Sequence, residues 1–283
     1  MIQKKIADIE HLLDKRLEEQ KAHSKIEGEQ WFRDPLGWLL VSFNNPLNYG
    51  NPNGELVVLQ NYQAEIGECI RGYNQIFYGV GVGETELELV RIELEQSDHI
   101  NVEAVDISET FINLFEENLR YKELEFPGNK IEATLFRELF QNYSPPKTHK
   151  RIHVVLGGTL GNFDNDGEEL WQILQRNTPK GDILLIGMKL DTYIDVDFEK
   201  YKNNKYYPTF VLSHLDHVDE NLITWKKGED YIRMFYDESD VFRTRRVSKE
   251  KLIEEAHEYD FVYKDAWVCQ YNHSLIALFE KSK

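Results

Sequence analysis

The chain has 283 residues, 41% of them hydrophobic, enough apolar side chain for one large domain or a domain carrying a sizeable insertion. Its 50 acidic and 33 basic residues give a formal charge of −17, which disfavours nucleic acid and anionic membrane as partners; "FRTRR" (Phe242–Arg246) is the one dense basic patch. Cys69 and Cys269 make no disulfide framework and no metal spacing, and neither a secretory leader nor a membrane-spanning apolar run is present, so a soluble cytoplasmic chain with reduced thiols is expected.

Ile2, Ile6, Ile9, Leu12, Leu13 and Leu17 recur at three- and four-residue steps and predict an amphipathic docking helix. From Trp31 to Asn53 the chain is aromatic and turn-rich, with Asn-Pro pairs that interrupt regular structure. "ELVVLQNYQAEIGECI" then reads as one helix. From residue 74 strands alternate with helices. "NQIFYGV", "INVEAVDIS", "KIEATLF", "RIHVVLGG" and "DILLIGM" are strand candidates, with helices at 84–95, 109 to about 124, and 168–176. That rhythm predicts a parallel sheet with right-handed crossovers. Residues 190–240 break it, with an extended "NLITWKKGEDYIRMFYD" and no clear crossover helix. A helix at 249–258 follows, then "DFVYKDAWV" and "HSLIALFEK", an antiparallel hairpin that closes the sheet.

The loop after the first strand, "GVGVGETE", sorts its own ligands. A dinucleotide fingerprint needs glycine five residues after Gly79, and Glu84 stands there. Glu86 and Glu88 follow, no lysine or arginine precedes Arg91, and a phosphate on this helix N-terminus would meet carboxylates. S-adenosylmethionine (SAM) suits the loop better, because it carries a sulfonium and an ammonium and no phosphate. Asp106, at the end of the second strand, is placed to accept from both ribose hydroxyls. The position two residues before Gly79, an acid in many methyltransferases, is Phe77. A structural turn is the plainer reading of such a loop, and Asp106 at the next strand end favours the cofactor. The closing helix, strand and antiparallel strand give the arrangement of the seven-stranded α/β methyltransferases, a Rossmann-like sheet, by fold-level analogy.

The second glycine motif, "VVLGGTLGNFD" (154–164), makes the comparison specific. The chain resembles the histidine-specific, SAM-dependent methyltransferases of ergothioneine biosynthesis, whose fourth strand ends in a Pro-Gly-Ser-Thr-Ile-Gly-Asn-Phe motif. Trp31, Phe32, Arg33, Asp34 and Gly37 resemble the family's Trp-Phe-Tyr-Asp-x-x-Gly stretch; Tyr49, Gly50 and Glu55 resemble its tyrosine pair and glutamate. "YIRMFY" and "RRVSKEKL" resemble two downstream segments. The resemblance implies cofactor contacts from Tyr78, Gly79, Val80, Gly81, Asp106, Ile107, Leu135, Phe136, Gly157 and Gly158. It implies catalytic positioning by Tyr49 and Asn162, and a substrate site from Arg33, Tyr49, Asn162, Tyr206 (with Tyr207 beside it), Met234, Arg246 and Ser248.

Several positions depart from the family. Leu135 stands where an aspartate meets the adenine amine, Thr85 where a lysine lies, and Gly50 where the second tyrosine lies. Arg33 replaces an aromatic, and Arg246 replaces the glutamate that reads imidazole. Guanidinium for carboxylate reverses the charge preference, so the expected substrate is a small amine or amino acid other than histidine, one with an added anionic group.

The expected division is a SAM-binding domain of 60–189 and 249–283, with a substrate subdomain of 1–59 and 190–248. The competing readings are a non-catalytic binding or partner subunit of the same fold, and a dinucleotide-dependent oxidoreductase. His214 and His217, at i,i+3 spacing among acids, read as a solvated segment in preference to a metal site, and no metal is expected. His153, on a strand, reads as a core histidine.

Overall fold

The computed structural model describes residues 54–81, 83–97, 100–106, 109–121, 131–135, 150–162, 167–204, 206–212, 218–269 and 273–283. The expected N-terminal helix, and Arg33, Tyr49, Ile107, Phe136, His214 and His217, lie outside those residues.

Two short helices, α1 (Gly54–Asn61) and α2 (Gln63–Ile70), replace the single helix read from the sequence. Tyr62 leaves helical geometry at φ −117 and ψ 22, yet its N–H still donates to Val58 and its carbonyl still accepts from Ile66, so the pair is one kinked run. The parallel strands are β1 (Asn74–Tyr78), β2 (Val102–Asp106), β3 (Ile131–Leu135), β4 (Arg151–Val155) and β5 (Ile183–Lys189). They alternate with α3 (Glu84–Leu94), α4 (Glu109–Tyr121), α5 (Thr159–Asn162) and α6 (Glu168–Asn177). Every residue of β4 and six of the seven in β5 are buried, the pattern of parallel strands covered on both faces.

After β5 come α7 (Ile194–Asn203) and α8 (Tyr206–Val211), then β6 (Ile223–Lys227), β7 (Tyr231–Tyr236) and β8 (Ser239–Arg245). The chain returns through α9 (Lys249–Glu258), β9 (Phe261–Cys269) and β10 (Ser274–Lys281). The large sheet has seven strands in the order β3-β2-β1-β4-β5-β10-β9, with β10 antiparallel to both β5 and β9. The expected fold is therefore present, hairpin included. One face packs under α1, α2 and α3 through Val58, Leu59, Ile66, Leu87 and Val90. The other packs under α6 and α9 through Trp171, Leu174, Leu252 and Ala256, with Trp171 stacked on Tyr259 at 5.6 Å.

The second sheet, β6-β7-β8, is antiparallel throughout. Its core joins Tyr207, Phe210, Met234 and Phe242, with the rings of Tyr201 and Tyr207 4.4 Å apart. Helix α7 was not expected, because its one buried residue is Asp197, a carboxylate, and it shows no apolar stripe. The two sheets meet where α5 lies on β8: a Cβ at Gly161 would stand 3.0 Å from the Arg245 carbonyl oxygen, so a side chain there would require the β8 backbone to give by a few tenths of an ångström.

Candidate functional site

Strand order sets the location. The chain runs outward from β1 in one direction and from β4 in the other, so the crevice over their carboxyl ends is the topological switch point. Gly79 and Gly81 after β1 hold φ +72 and +50, and Gly157 and Gly158 after β4 hold φ +67 and +72, all in the left-handed region that favours glycine. A Cβ at Gly79 would lie 2.6 Å from the Thr159 side chain, so the two loops touch there. At Gly157 and Gly158 a Cβ would meet no heavy atom of the described residues within 4 Å, so among those residues the cradle in front of β4 is open.

Asp106 stands at the end of β2, 3% exposed, and its Oδ2 accepts from the Gly81 N–H at 3.2 Å. Val80 is buried. Tyr78 is buried with its hydroxyl 2.9 Å from His153 Nδ1, so its side chain belongs to the core and only its backbone reaches the crevice. His153 is fully buried, and burial pushes its pKa down, in keeping with a neutral core histidine. Leu135 ends β3 opposite Asp106, which sets its backbone beside the crevice.

Two acids matter here that sequence reasoning did not place at the cofactor site. The Glu55 carboxylate, on α1, is 3% exposed and accepts from the Gly157 N–H at 2.7 Å. It packs over Gly187 of β5, where a Cβ would fall 2.6 Å from the carboxyl carbon. Burial pushes its pKa up to about 7, against the pull of the Gly157 N–H and the charges of Lys189 and Arg246. Glu86, in the first turn of α3, is pushed up to about 8, first by burial and then by Glu55, Asp106 and Glu84. For Glu86 the available signal was the density of acids beside a glycine loop, and for Glu55 its resemblance to a family glutamate, which carried no cofactor role. In sequence, a glutamate in a helix's first turn reads as a solvated dipole partner.

A carboxyl whose folded pKa lies above its unfolded value stabilises the fold most while protonated. Its contribution is whole below the ordinary carboxylate range and is lost as pH rises through about 7 for Glu55 and about 8 for Glu86. At most, Glu55 accounts for about 3 kcal/mol and Glu86 for about 5 kcal/mol. The ligand-free protein is therefore expected to melt at a lower temperature at about pH 8 than at about pH 5, and Glu86→Gln is expected to shrink that difference. Scanning calorimetry across the window measures it. An equal slope in the variant would contradict the assignment.

On the other side of the crevice, Asn162 ends α5 and is half-buried. Met234 is fully buried in the core of the second sheet. Tyr206 begins α8, and beside it Tyr207 is buried in the same aromatic cluster. Ser248 caps α9, its hydroxyl accepting from the Lys251 N–H at 3.1 Å. Arg246 is 3% exposed and held from all sides. Its Nε donates to Asp197 at 2.9 Å, one terminal nitrogen to Thr244 Oγ1 and the Arg245 carbonyl at 2.9 Å each, and the other to the Tyr201 hydroxyl at 3.3 Å. Asp197 also faces Lys189 at 3.6 Å and Lys200 at 3.7 Å. These charges outweigh the upward push of burial and hold its carboxyl below the usual range. Arg245 pairs with Asp230 and Glu255. Thus Arg245 and Arg246, the last two arginines of "FRTRR", are balanced by acids of the fold.

The residues present fit a cationic, phosphate-free ligand. Among the described residues the cradle at Gly157 and Gly158 has room, Asp106 offers an acceptor, and the buried acids Glu55 and Glu86 disfavour a pyrophosphate. A family model described as histidine-specific methyltransferase, SAM-dependent, matches residues 30–260. No curated protein matches in sequence. Among solved structures, the chain is similar to a SAM-dependent methyltransferase from Clostridium acetobutylicum, with TM-score 0.57, 11% identity, and coverage of 87% of this chain and 98% of that one. A magnesium protoporphyrin IX methyltransferase from Synechocystis with bound S-adenosylhomocysteine (SAH) gives TM-score 0.51 at 11% identity, covering 87% and 93%. A Burkholderia thailandensis 1,6-didemethyltoxoflavin-N1-methyltransferase, bound to 1,6-didemethyltoxoflavin and SAH, gives TM-score 0.52 at 9% identity, covering 92% and 93%. At such identities these structures speak for the fold alone.

Proposed function

The chain belongs to the histidine-specific, SAM-dependent methyltransferase family, and from that premise we propose that its own reaction is N-methylation of a small amino acid or amine other than histidine. The observation that carries this reading is the position of Arg246. Where the resemblance puts a glutamate for the imidazole, this chain has a guanidinium with four of its five donors engaged by Asp197, Thr244, the Arg245 carbonyl and Tyr201. An imidazole N–H finds no acceptor in that group. The same bonds remove Arg246 as a free fork for an anion, so the argument for an added anionic group on the substrate now rests on Arg33.

Bound SAM supplies a methyl on a sulfonium, and its leaving group needs no acid. The protein's task is to hold a neutral amine in line with that methyl and to keep water out. In this reading Asn162, at the end of α5 beside the β4 cradle, orients the amine, with Tyr49 as its proposed partner. Asp106 and the backbone of Gly79–Gly81 hold the cofactor in this reading, with Tyr78, Ile107, Leu135 and Phe136 as further contacts. In this proposal 60–189 and 249–283 form the cofactor domain, joined by α1 (Gly54–Asn61), which packs on the large sheet, and the rest of 1–59 with 190–248 forms the substrate subdomain. The proposed partners are small molecules. No helix among the described residues is long and apolar enough to cross a membrane.

Methyl transfer from labelled SAM to a panel of amino acids and amines tests the proposal. Histidine is expected to fall at least ~100-fold below the preferred amine in kcat/KM, the discrimination a site gains by leaving a polar group unpaired. Efficient methylation of histidine would sink the argument from Arg246.

A further inference from the structure

Three cations converge on the carboxylate of Asp197. Its side chain is 2% exposed, accepts from Arg246 Nε at 2.9 Å, and lies 3.6 Å from the Lys189 ammonium and 3.7 Å from that of Lys200. Glu55 faces Lys189 and Arg246 as well, and the Tyr201 hydroxyl accepts from Arg246. Taken together these groups carry one positive charge in excess when Glu55 is ionised and two when it is protonated. Burial pushes Asp197 and Tyr201 upward, yet Arg246 and Lys189 hold both below their ordinary ranges, which marks the local potential as positive.

The three cations differ in what they can still reach. Arg246 is locked by its four bonds, and the Lys200 ammonium lies 5.0 Å from the Tyr193 ring. The Lys189 side chain is 35% exposed. It ends β5, at the carboxyl end of the strand beside β4. Two residues after Gly187, it shares the sheet face on which the Glu55 carboxyl packs, and Glu55 in turn accepts from the Gly157 N–H of the cradle. Asp197 comes to it from α7, and the Val247 N–H, just beyond β8, donates to the Lys189 carbonyl at 3.3 Å. Lys189 therefore stands between the cradle and the elements assigned to the substrate.

We propose that Lys189 is a specificity-determining residue whose ammonium pairs with a side-chain carboxylate of the amino-acid substrate. A zwitterionic amino acid with a neutral side chain brings no net charge to this cluster. One with a side-chain carboxylate brings a single negative charge, which matches the excess left by Asp197 and Glu55; a phosphate dianion would overshoot it. Lysine suits the task as a compact, mobile point charge, where the bonded fork of Arg246 cannot turn to meet a ligand. The inference rests on the N-methylation reading for its substrate, and binding tests it apart from transfer.

Calorimetry on the SAH-saturated protein, with aspartate titrated against asparagine and glutamate against glutamine, needs no turnover. In the wild type the acid of at least one pair is expected to bind about tenfold more tightly than its amide, the scale of one charge-assisted hydrogen bond. Lys189→Met is expected to weaken that acid about tenfold and its amide by less than about threefold. Lys189→Glu is expected to reverse the order. SAH affinity within about threefold of wild type in both variants reports an intact crevice. Lys200→Met is expected to cost the acid less than about threefold; a loss equal to that of Lys189→Met would assign the preference to the field of the whole cluster and overturn the role of Lys189. Equal wild-type binding of acid and amide, a result that needs no variant, would also overturn it. So would a Lys189→Met loss shared by acid, amide and SAH, or phosphoserine binding more tightly than either acid. Methyl transfer from labelled SAM to the same amino acids is read separately. The expected binding pattern without transfer would sink the proposed reaction and leave the pairing standing, whereas transfer that ignores the side-chain charge would do the reverse.

Discussion

Asp106→Ala is expected to reduce kcat/KM for the donor by about 100- to 1000-fold, the loss of two hydrogen bonds to a charged acceptor at about 1.5–3 kcal/mol each, partly offset by water. The carboxylate is nearly buried at the end of β2 and bonds the Gly81 N–H, so its removal takes away the proposed ribose acceptor and loosens the glycine loop together. Asp106→Asn keeps an acceptor oxygen and is expected to lose less. Steady-state kinetics with SAM varied, paired with calorimetric affinity for SAH, separates the two contributions. If Asp106→Ala changes neither by more than about threefold, Asp106 is not a cofactor ligand.

Asp197→Ala is expected to be the most destabilising single change in the described structure. It would leave the Arg246 guanidinium, with its side chain 4% exposed, without its counter-ion and close to Lys189. Breaking such a pair from one side costs about 3–5 kcal/mol, which corresponds to a melting temperature lower by about 6–15 °C in a domain of this size. Replacing both partners with apolar residues, Asp197→Leu with Arg246→Met, is expected to recover most of that loss, because the fully buried charge is then gone and Lys189 and Lys200, which also face Asp197, are partly exposed to water. Thermal unfolding of the single and double variants measures this. A single variant as stable as the wild type would show that water or another group already answers Arg246. The pair also bears on function, since it joins α7 to the end of β8, next to the point where β8 meets α5 and Asn162.

The large sheet was legible because its strands are buried on both faces. "RIHVV" and "ILLIGMK" read as continuous apolar runs, and their alternation with helices fixed a parallel order before any contact was known. The crevice was legible for a local reason. Glycines at 79, 81, 157 and 158 hold positive φ, and Asp106 follows in the adjacent strand, so each signal lies within a few residues of the feature it marks. Other features depend on partners far away in sequence. Arg246 meets Asp197 across 49 positions, and Glu55 meets Gly157 across 102. Helix α7 hid because a carboxylate anchors its buried side where an apolar stripe would have announced it. Ser248 was read through its resemblance to a substrate residue, while the local pattern Ser-Lys-Glu-Lys already fits a helix N-cap, which is how its oxygen is engaged.

The central claim is that the crevice between β1 and β4 seats a cationic, phosphate-free cofactor on the Gly79–Gly81 loop. One calorimetric comparison tests it most directly: SAM, SAH and NAD titrated into the wild type and into Gly79→Val. At Gly79 the added carbon would stand 2.6 Å from Thr159 at φ +72, so the loop has to move to accept a side chain. The account predicts micromolar binding of SAM and SAH to the wild type, no heat with NAD, and loss of both adenosyl ligands in the variant. Binding of NAD to the wild type, or SAM binding unchanged in Gly79→Val, would contradict it.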